Sequence, residues 1–204
     1  MYLTDGNPVL ENHRKIKSGL TLEQKTAIDA LYEEKVPGFI VLKRTRREKR
    51  VGDVFVCSVQ EGVYYYGKIL NDCIKVEGSN FYNGCVLVVL YKGCTGRKTM
   101  DDFVGDINNI MFAPQIVLPQ SWSNGYFETI GNVPLTDEEK TFDYGFWKEK
   151  GISGKGYFVK EDESVLDHMP KCFASMGLTT YFGFSMLIKE AIIIDPSLAI
   201  VKNN

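Results

Sequence analysis

Short β-patterned runs fill residues 54–91, and none of the connections between them carries a helical pattern. Residues 54–59 and 63–70 flank the turn signal Gln60-Glu61-Gly62, which predicts a β-hairpin. Residues 85–91 form an almost continuous apolar run, which is typical of a central strand covered on both faces. Neighbouring parallel strands need a long crossover, usually a helix, whereas antiparallel strands need only a tight turn. The sequence therefore predicts an antiparallel sheet and disfavours a doubly wound parallel one.

Helical patterns lie towards the two ends of the chain. Thr21 and Gln24 have the spacing of a capping box, and apolar residues then recur at helical spacing. Pro37-Gly38 follows as a stop signal, so we predict a helix over 21–35. The last predicted helix covers 179–192. Helices at the ends of a strand-rich chain are typical of the α+β class.

We therefore predict an α+β fold, a single domain with a curved antiparallel β-sheet that is partly barrel-like and is flanked by an N-terminal and a C-terminal helix. Residues 1–38 are predicted as an N-terminal helical extension and 39–204 as the α+β domain, together one compact unit. A chain of 204 residues is long enough to bury a sizeable core. The sequence does not indicate an oligomeric state.

Charge is distributed unevenly along the chain. The 24 Lys+Arg and 26 Asp+Glu give a formal net charge of −2, so there is no chain-wide attraction to nucleic acid or to an anionic membrane. Residues 1–50 nevertheless carry 11 basic and 7 acidic side chains, a net charge of +4. Residues 128–167 carry 5 basic and 10 acidic side chains, a net charge of −5. We expect a dipolar surface, which suits a protein that binds a partner.

The strongest local charge is at residues 43–50, here called the basic segment, with six basic side chains and one acidic. Such a run could follow a nucleic-acid backbone, bind an acidic protein, or keep the edge of a sheet from aggregating. Arginine and aromatic side chains anchor many protein interfaces, so we combine the segment with aromatic residues into a predicted partner-binding surface. The residues of this surface are Lys43, Arg44, Arg46, Arg47, Tyr64, Tyr66 and Trp122.

Patterns for catalysis, metal binding and cofactor binding are absent from the sequence. It contains two histidines, His13 and His168, which are too few for a cluster of imidazole ligands or bases. Its five cysteines include no C-x-x-C pair. Pro170 lies between His168 and Cys172, which disfavours a helical pairing of the two as a catalytic dyad. We therefore predict a non-enzymatic protein with no cofactor and no metal ion.

The sequence also lacks the patterns of exported and membrane-spanning proteins. The first 19 residues are polar and mixed in charge, without the apolar core of a signal peptide. Charged residues and a proline interrupt the longest apolar stretch, 181–201, so it does not predict a membrane span. The odd number of cysteines does not suggest a disulfide framework. These features predict a cytoplasmic protein that does not bind membranes.

The first hairpin resembles a known family. Val51-Gly52-Asp53-Val54-Phe55-Val56, followed by Glu61-Gly62-Val63-Tyr64-Tyr65-Tyr66-Gly67-Lys68-Ile69-Leu70, is similar to the opening hairpin of the immunity protein 26 family of bacterial polymorphic toxin systems. That family has a basic stretch, a Gly-Asp-[Ile/Val]-Phe motif and a return strand with a Gly-x-[Tyr/Phe]-x-x-Gly-x-[Ile/Val] pattern. The similarity covers about residues 39–150.

A second landmark of the family follows further along the chain. Residues 116–118 and 122–135 resemble a strand that leads into an Ile-Gly-x-x-Pro-Leu segment, here Ile130-Gly131-Asn132-Val133-Pro134-Leu135. One departure is Phe127, which stands where the family pattern has a tryptophan, while Trp122 lies upstream. The order and separation of the two landmarks carry the resemblance.

The resemblance implies a non-enzymatic protein that binds and neutralises a cognate protein toxin in the cytoplasm of the cell that produces it. Two alternatives stay open. A nucleic-acid-binding module could use the basic segment with Tyr64 or Tyr66 as stacking platforms, although the net charge makes nucleic acid the weaker expectation. A small hydrolase with an unrecognised site would need a polar pocket that holds His168 or paired carboxylates.

Overall fold

The computed structural model of the chain describes residues 3–4, 6–35, 38–78, 81–151 and 155–201. The helices are α1 (Pro8–Gly19), α2 (Leu22–Tyr32), α3 (Gln120–Ser123), α4 (Asp137–Lys140) and α5 (Tyr181–Ile194). The strands are β1 (Leu3–Thr4), β2 (Asp53–Gln60), β3 (Val63–Asn71), β4 (Val86–Leu90), β5 (Gln115–Val117), β6 (Glu128–Asn132), β7 (Tyr144–Glu149), β8 (Gly156–Val159), β9 (Cys172–Ser175) and β10 (Leu178–Thr179). Short 3₁₀ turns lie at Met100–Asp102 and Pro196–Ala199.

Side-chain caps determine where the two N-terminal helices begin. The Asn7 side chain accepts hydrogen bonds from two backbone N–H groups in the first turn of α1. Pro8 is the first residue of this helix, where a backbone N–H has no partner within the helix, so the missing N–H of proline costs no hydrogen bond. Thr21 and Gln24 form the predicted capping box at the start of α2. The sequence did not predict α1, because this helix is polar and Pro8 is its buried residue. Pro37, part of the predicted stop signal, lies outside the described residues.

A six-stranded sheet has the order β10-β5-β4-β3-β2-β6. The predicted hairpin forms its centre, with Val56 opposite Tyr66 and Cys57 opposite Tyr65 in antiparallel register. β4 is buried along its whole length, as its apolar run predicted. β10 pairs with β5 in parallel, and the other neighbours in this sheet are antiparallel.

A second sheet has four strands in the order β1-β8-β7-β9, and its β7–β9 pair is parallel. It packs on the larger sheet through a shared apolar cluster. Leu87 and Ile116 of the larger sheet meet Phe146 and Val159 of the smaller one in that cluster. The two sheets therefore share part of one core.

The two faces of the β2–β3 hairpin are buried in different layers. On one face, Phe55 packs in the main core with Trp122 of α3 and Phe184 of α5. Strand alternation sends the next side chains to the opposite face, where Val54, Val56 and Tyr66 form a second cluster. Both faces of the hairpin are covered, so its position in the fold is rigidly determined.

The α+β class is confirmed, and the predicted antiparallel sheet differs from the observed architecture in three respects. The strands form two sheets instead of one, and β7 and β9 of the smaller sheet were not predicted. Each sheet contains one parallel pair. Within the described residues the larger sheet is open, ending at β10 and β6, so it is not closed into a barrel. The C-terminal helix forms where it was predicted and continues to Ile194.

Candidate functional site

The basic segment crosses the surface as an irregular stretch that belongs to neither sheet among the described residues. Its main chain is tied to the fold at Leu42 and Thr45, whose N–H groups donate to the carbonyl oxygens of Gly125 and Trp122 at 2.7 and 3.0 Å. The edge strand that we considered for this segment is therefore not formed. The side chains that it exposes to solvent include Lys43, Arg44, Arg46, Arg47 and Arg50.

Asp53 anchors the end of the basic segment. Its carboxylate is 1% exposed and accepts hydrogen bonds from the Arg47 guanidinium at 2.9 Å and from the Arg50 main-chain N–H at 3.2 Å. The Asn132 side-chain amide donates a third bond at 2.9 Å. Asp53 thus neutralises one arginine and orders the backbone beside it. Four cations of the segment have no side-chain hydrogen bond or acidic partner among the described residues: Lys43, Arg44, Arg46 and Arg50.

The structure separates the three predicted aromatic residues. Tyr64 is half-buried, and the Lys98 ammonium lies 5.9 Å from the centre of its ring. Tyr66 is 5% exposed, and its hydroxyl lies 2.9 Å from the carbonyl oxygen of Thr99. Trp122 is fully buried, and its indole N–H donates to the Thr129 hydroxyl at 3.0 Å. Of these three rings, Tyr64 is the one that reaches the surface.

The basic segment and Tyr64 border the same face of the β2–β3 hairpin. Leu42, directly before the segment, and Tyr64 both pack against the cluster of Val54, Val56 and Tyr66. The buried rings support this surface from within. Lys49 lies over the Trp122 ring at 5.6 Å, and the Trp122 carbonyl holds the segment at Thr45.

The two motifs that carry the family resemblance meet at the same place. Gly52 has a φ of +84°, and its carbonyl accepts the N–H of Val133 at 2.9 Å. A Cβ atom on Gly52 would lie 2.5 Å from the Val133 carbonyl oxygen, so glycine is required there for both backbone conformation and space. The Asp53–Asn132 hydrogen bond joins the same two motifs. The motifs therefore form one structural unit that supports the basic segment.

A buried ion pair on β3 was missed by the sequence analysis. The Lys68 ammonium lies 2.6 Å from the Glu139 carboxylate, and the two side chains are 2% and 1% exposed. Lys68 also donates to the Pro134 carbonyl at 3.2 Å, and the Tyr91 hydroxyl donates to the other Glu139 oxygen at 2.7 Å. The signal for Lys68 was a charged residue inside an apolar strand. The signal for Glu139 was its position in the capping box that begins at Thr136.

The surroundings of Glu139 keep it ionised. Burial raises the pKa of this carboxyl, but hydrogen bonds from Lys68, Tyr91 and the Thr136 main chain outweigh burial and hold the pKa below its usual range. Burial and the bond to Glu139 raise the pKa of the Tyr91 hydroxyl. Because each group is committed to its partner, the cluster connects β3 and α4 with Tyr91, the residue directly after β4.

The histidine that the hydrolase alternative requires lies on the surface. The His168 ring nitrogens lie 3.0 Å from Asp143 and 2.9 Å from Asp167, and hydrogen bonds to these carboxylates raise the pKa of His168. Burial raises the pKa of the Cys172 thiol to about 11, which disfavours the thiolate. No hydrogen bond joins His168 to Cys172 in the described part of the chain.

The same part of the chain contains a further cavity. A cavity of about 770 Å³ lies between α1, α5 and β9, with apolar residues such as Phe112, Phe182 and Met186 in its walls. No cluster of three or more His, Cys, Asp or Glu side chains is arranged to hold a metal ion among the residues described. None of the described helices has the length and apolar character needed to cross a bilayer.

The family comparison agrees with these motifs. The model of immunity protein 26 matches residues 50–156, which contain both motifs, Asp53 and the Lys68–Glu139 pair. No curated protein and no solved structure matches the chain. The matched region is more than half of the 204 residues. The chain belongs to the immunity protein 26 family.

Proposed function

We propose that this protein neutralises a cognate protein toxin by binding it directly and without catalysis, in the cytoplasm of the cell that produces both. The match to immunity protein 26 over residues 50–156 carries the proposal. Neutralisation by binding requires complementary shape and charge on the inhibitor and no catalytic group.

The basic segment, together with Tyr64, is the proposed contact surface. Its backbone is held by the bonds at Leu42 and Thr45 and by Asp53, so few conformations are lost when a partner binds. Its exposed cations are accessible to a partner protein. Tyr66 and Trp122, which were predicted as contact residues, support this surface from the interior of the fold.

Two observations disfavour the alternatives. A nucleic-acid module needs ring faces on which bases can stack, but Tyr66 and Trp122 are buried and Lys98 lies over the Tyr64 ring. A hydrolase needs a nucleophile within reach of a base, and His168 hydrogen-bonds to two carboxylates instead.

The proposal is tested by co-expressing the chain with the adjacent open reading frame. We expect growth to be rescued and the two polypeptides to co-purify. The purified toxin's activity should then fall in proportion to added protein and reach zero near one equivalent, because binding is stoichiometric. Neutralisation of many toxin molecules by one molecule of this protein would contradict the non-catalytic mechanism. Failure of both rescue and co-purification would contradict toxin binding.

A further inference from the structure

We infer that the toxin surface contacted by the basic segment is acidic, that is, rich in protein carboxylates. This inference rests on the proposed function and adds the chemistry of the partner. It concerns four side chains in particular, Lys43, Arg44, Arg46 and Arg50.

The charge of the basic segment is largely uncompensated. Some cations elsewhere on the surface are paired with carboxylates, as Arg97 is with Asp102 at 2.7 Å and Lys98 with Glu128 at 2.7 Å, whereas Arg14 and Lys15 of α1 have no acidic partner among the described residues. The basic segment differs from these by its density, with six cations in eight residues. In the basic segment, Asp53 pairs with Arg47 and the four cations named above lack an acidic partner within the described ranges. Like charges so close together repel one another, and an acidic partner would relieve that repulsion.

The fold also holds this charge in place. A flexible basic tail would lose conformational freedom on binding, whereas this segment is fixed by main-chain bonds to Gly125 and Trp122 and by the buried carboxylate of Asp53. Arg44 also packs its Cγ near Gly125, so its stem is supported while its guanidinium is exposed. A preordered row of cations can match an equally ordered acidic surface.

Acidic proteins and nucleic acids are both anionic, but proteins bind them with different side chains. Arginine pairs with carboxylates through two parallel hydrogen bonds and needs no neighbouring ring to do so. A single strand of nucleic acid is bound by cations together with stacked rings, whereas Tyr66 and Trp122 are buried and Lys98 lies over the Tyr64 ring. The net charge of −2 also gives no chain-wide attraction to a long polyanion.

This chemistry restricts the region of the toxin that the basic segment can cover. If the toxin acts on nucleic acid, its substrate cleft is itself basic and would repel this segment. The segment would instead contact an acidic region of the toxin. Surface complementarity of this kind speeds association and makes it sensitive to salt.

The test compares two matched double charge reversals. R44E/R46E changes the basic segment but spares Arg47, whose loss would expose Asp53. R14E/K15E changes two exposed cations on α1 by the same amount. Binding to the purified product of the adjacent open reading frame is measured at 50 and 500 mM NaCl. We expect R44E/R46E to weaken binding by about 10–100-fold at low salt and R14E/K15E by less than about 3-fold. Wild-type binding should also weaken as salt rises.

Each other outcome overturns a specific statement. If wild-type protein does not bind this product, the proposed function fails and the inference fails with it. If the wild type binds and R44E/R46E binds equally well, or wild-type binding is independent of salt, the function stands and the acidic contact is wrong. Tight wild-type binding to a 20-nucleotide single strand or duplex that R44E/R46E abolishes would show a nucleic-acid site instead. The milder variant R46Q, expected to weaken binding several-fold, replaces R44E/R46E in the comparison if the double variant does not fold.

Discussion

Lys68 and Glu139 form a 2.6 Å ion pair in the interior, 71 residues apart in the sequence. The pair joins the central hairpin to the short helix α4. Removing two charges from water is costly. The bonds that Glu139 accepts from Tyr91 and Thr136, and the bond that Lys68 donates to Pro134, offset part of that cost. Loss of either partner would leave an uncompensated charge in the core.

Replacing Lys68 with methionine should therefore destabilise the fold strongly. We expect K68M to lower the free energy of unfolding by about 3–5 kcal/mol, measured by urea denaturation. K140M, which removes an exposed ion pair with Asp137 on α4, should cost less than about 1 kcal/mol. The double variant K68M/E139L should be more stable than K68M. A K68M protein as stable as K140M would show that the buried pair is not needed.

The ion pair also predicts a loss of stability in acid. The pKa of Glu139 is lower in the folded state than its ordinary value of 4.5, so its contribution is complete above that value and is lost as the pH falls through the folded pKa. The difference in unfolding free energy between wild type and E139Q should stay constant from pH 7 to about 5 and shrink below that. E138Q, changed at an exposed neighbour, should show no such difference. A difference in unfolding free energy between wild type and E139Q that grows as the pH falls would contradict this prediction.

Asp53 should couple stability to the order of the basic segment. We expect D53A to lower the unfolding free energy by about 2–4 kcal/mol, because Arg47 and Asn132 lose a buried partner. Hydrogen exchange should show faster exchange of the Arg50 amide, which donates to Asp53. D29A, at an exposed 3.4 Å ion pair, is the control. Unchanged exchange at Arg50 in D53A would disprove the anchoring role.

Gly67 should not tolerate a side chain. A Cβ atom there would lie 2.3 Å from Cζ of Phe55 and 2.7 Å from the Val89 carbonyl oxygen. We expect G67A to lower the midpoint of thermal unfolding and to cost about 1–3 kcal/mol through overpacking. G177A, where a Cβ has no atom within 4 Å, should have little effect. Equal melting of the two variants would contradict the close contact.

His168 should titrate above its ordinary value. Hydrogen bonds to Asp143 first and to Asp167 second raise its pKa from 6.5, so these pairs stabilise the fold below that pH, and the effect is lost as the pH rises through the folded pKa. NMR titration of the imidazole should show that D143N lowers this pKa more than D167N does. A larger decrease of this pKa in D167N than in D143N would show that Asp143 is not its main cause.

Several elements were predictable from sequence because their signals are local. The turn signal at 60–62 between two β-patterned runs predicted the β2–β3 hairpin, and the capping box at Thr21 formed as its spacing indicated. The smaller sheet was not predictable in this way. Its β7–β9 pair joins Tyr144 to Cys172 across a segment that contains β8, and parallel pairing leaves no turn signature in sequence.

The candidate surface was predicted in part for the same reason. A run of basic residues can be read directly from the sequence, and Lys43, Arg44 and Arg46 are exposed in the structure. Whether a ring lies at the surface depends on which distant residues cover it. Tyr64 and Tyr66 point to the same side of β3, yet Tyr66 is more deeply buried, packed among residues that include Phe103.

The sequence by itself therefore determined the hairpin, the capping box of α2, the position of the basic segment and the family motifs, all of which depend on neighbours within a few residues. The tertiary structure decided the second sheet, the burial of Tyr66 and Trp122, the Asp53 anchor and the Lys68–Glu139 pair. Burial and pairing are properties of contacts between residues far apart in the chain, and alternation along a strand assigns a side chain to a face without showing what covers that face.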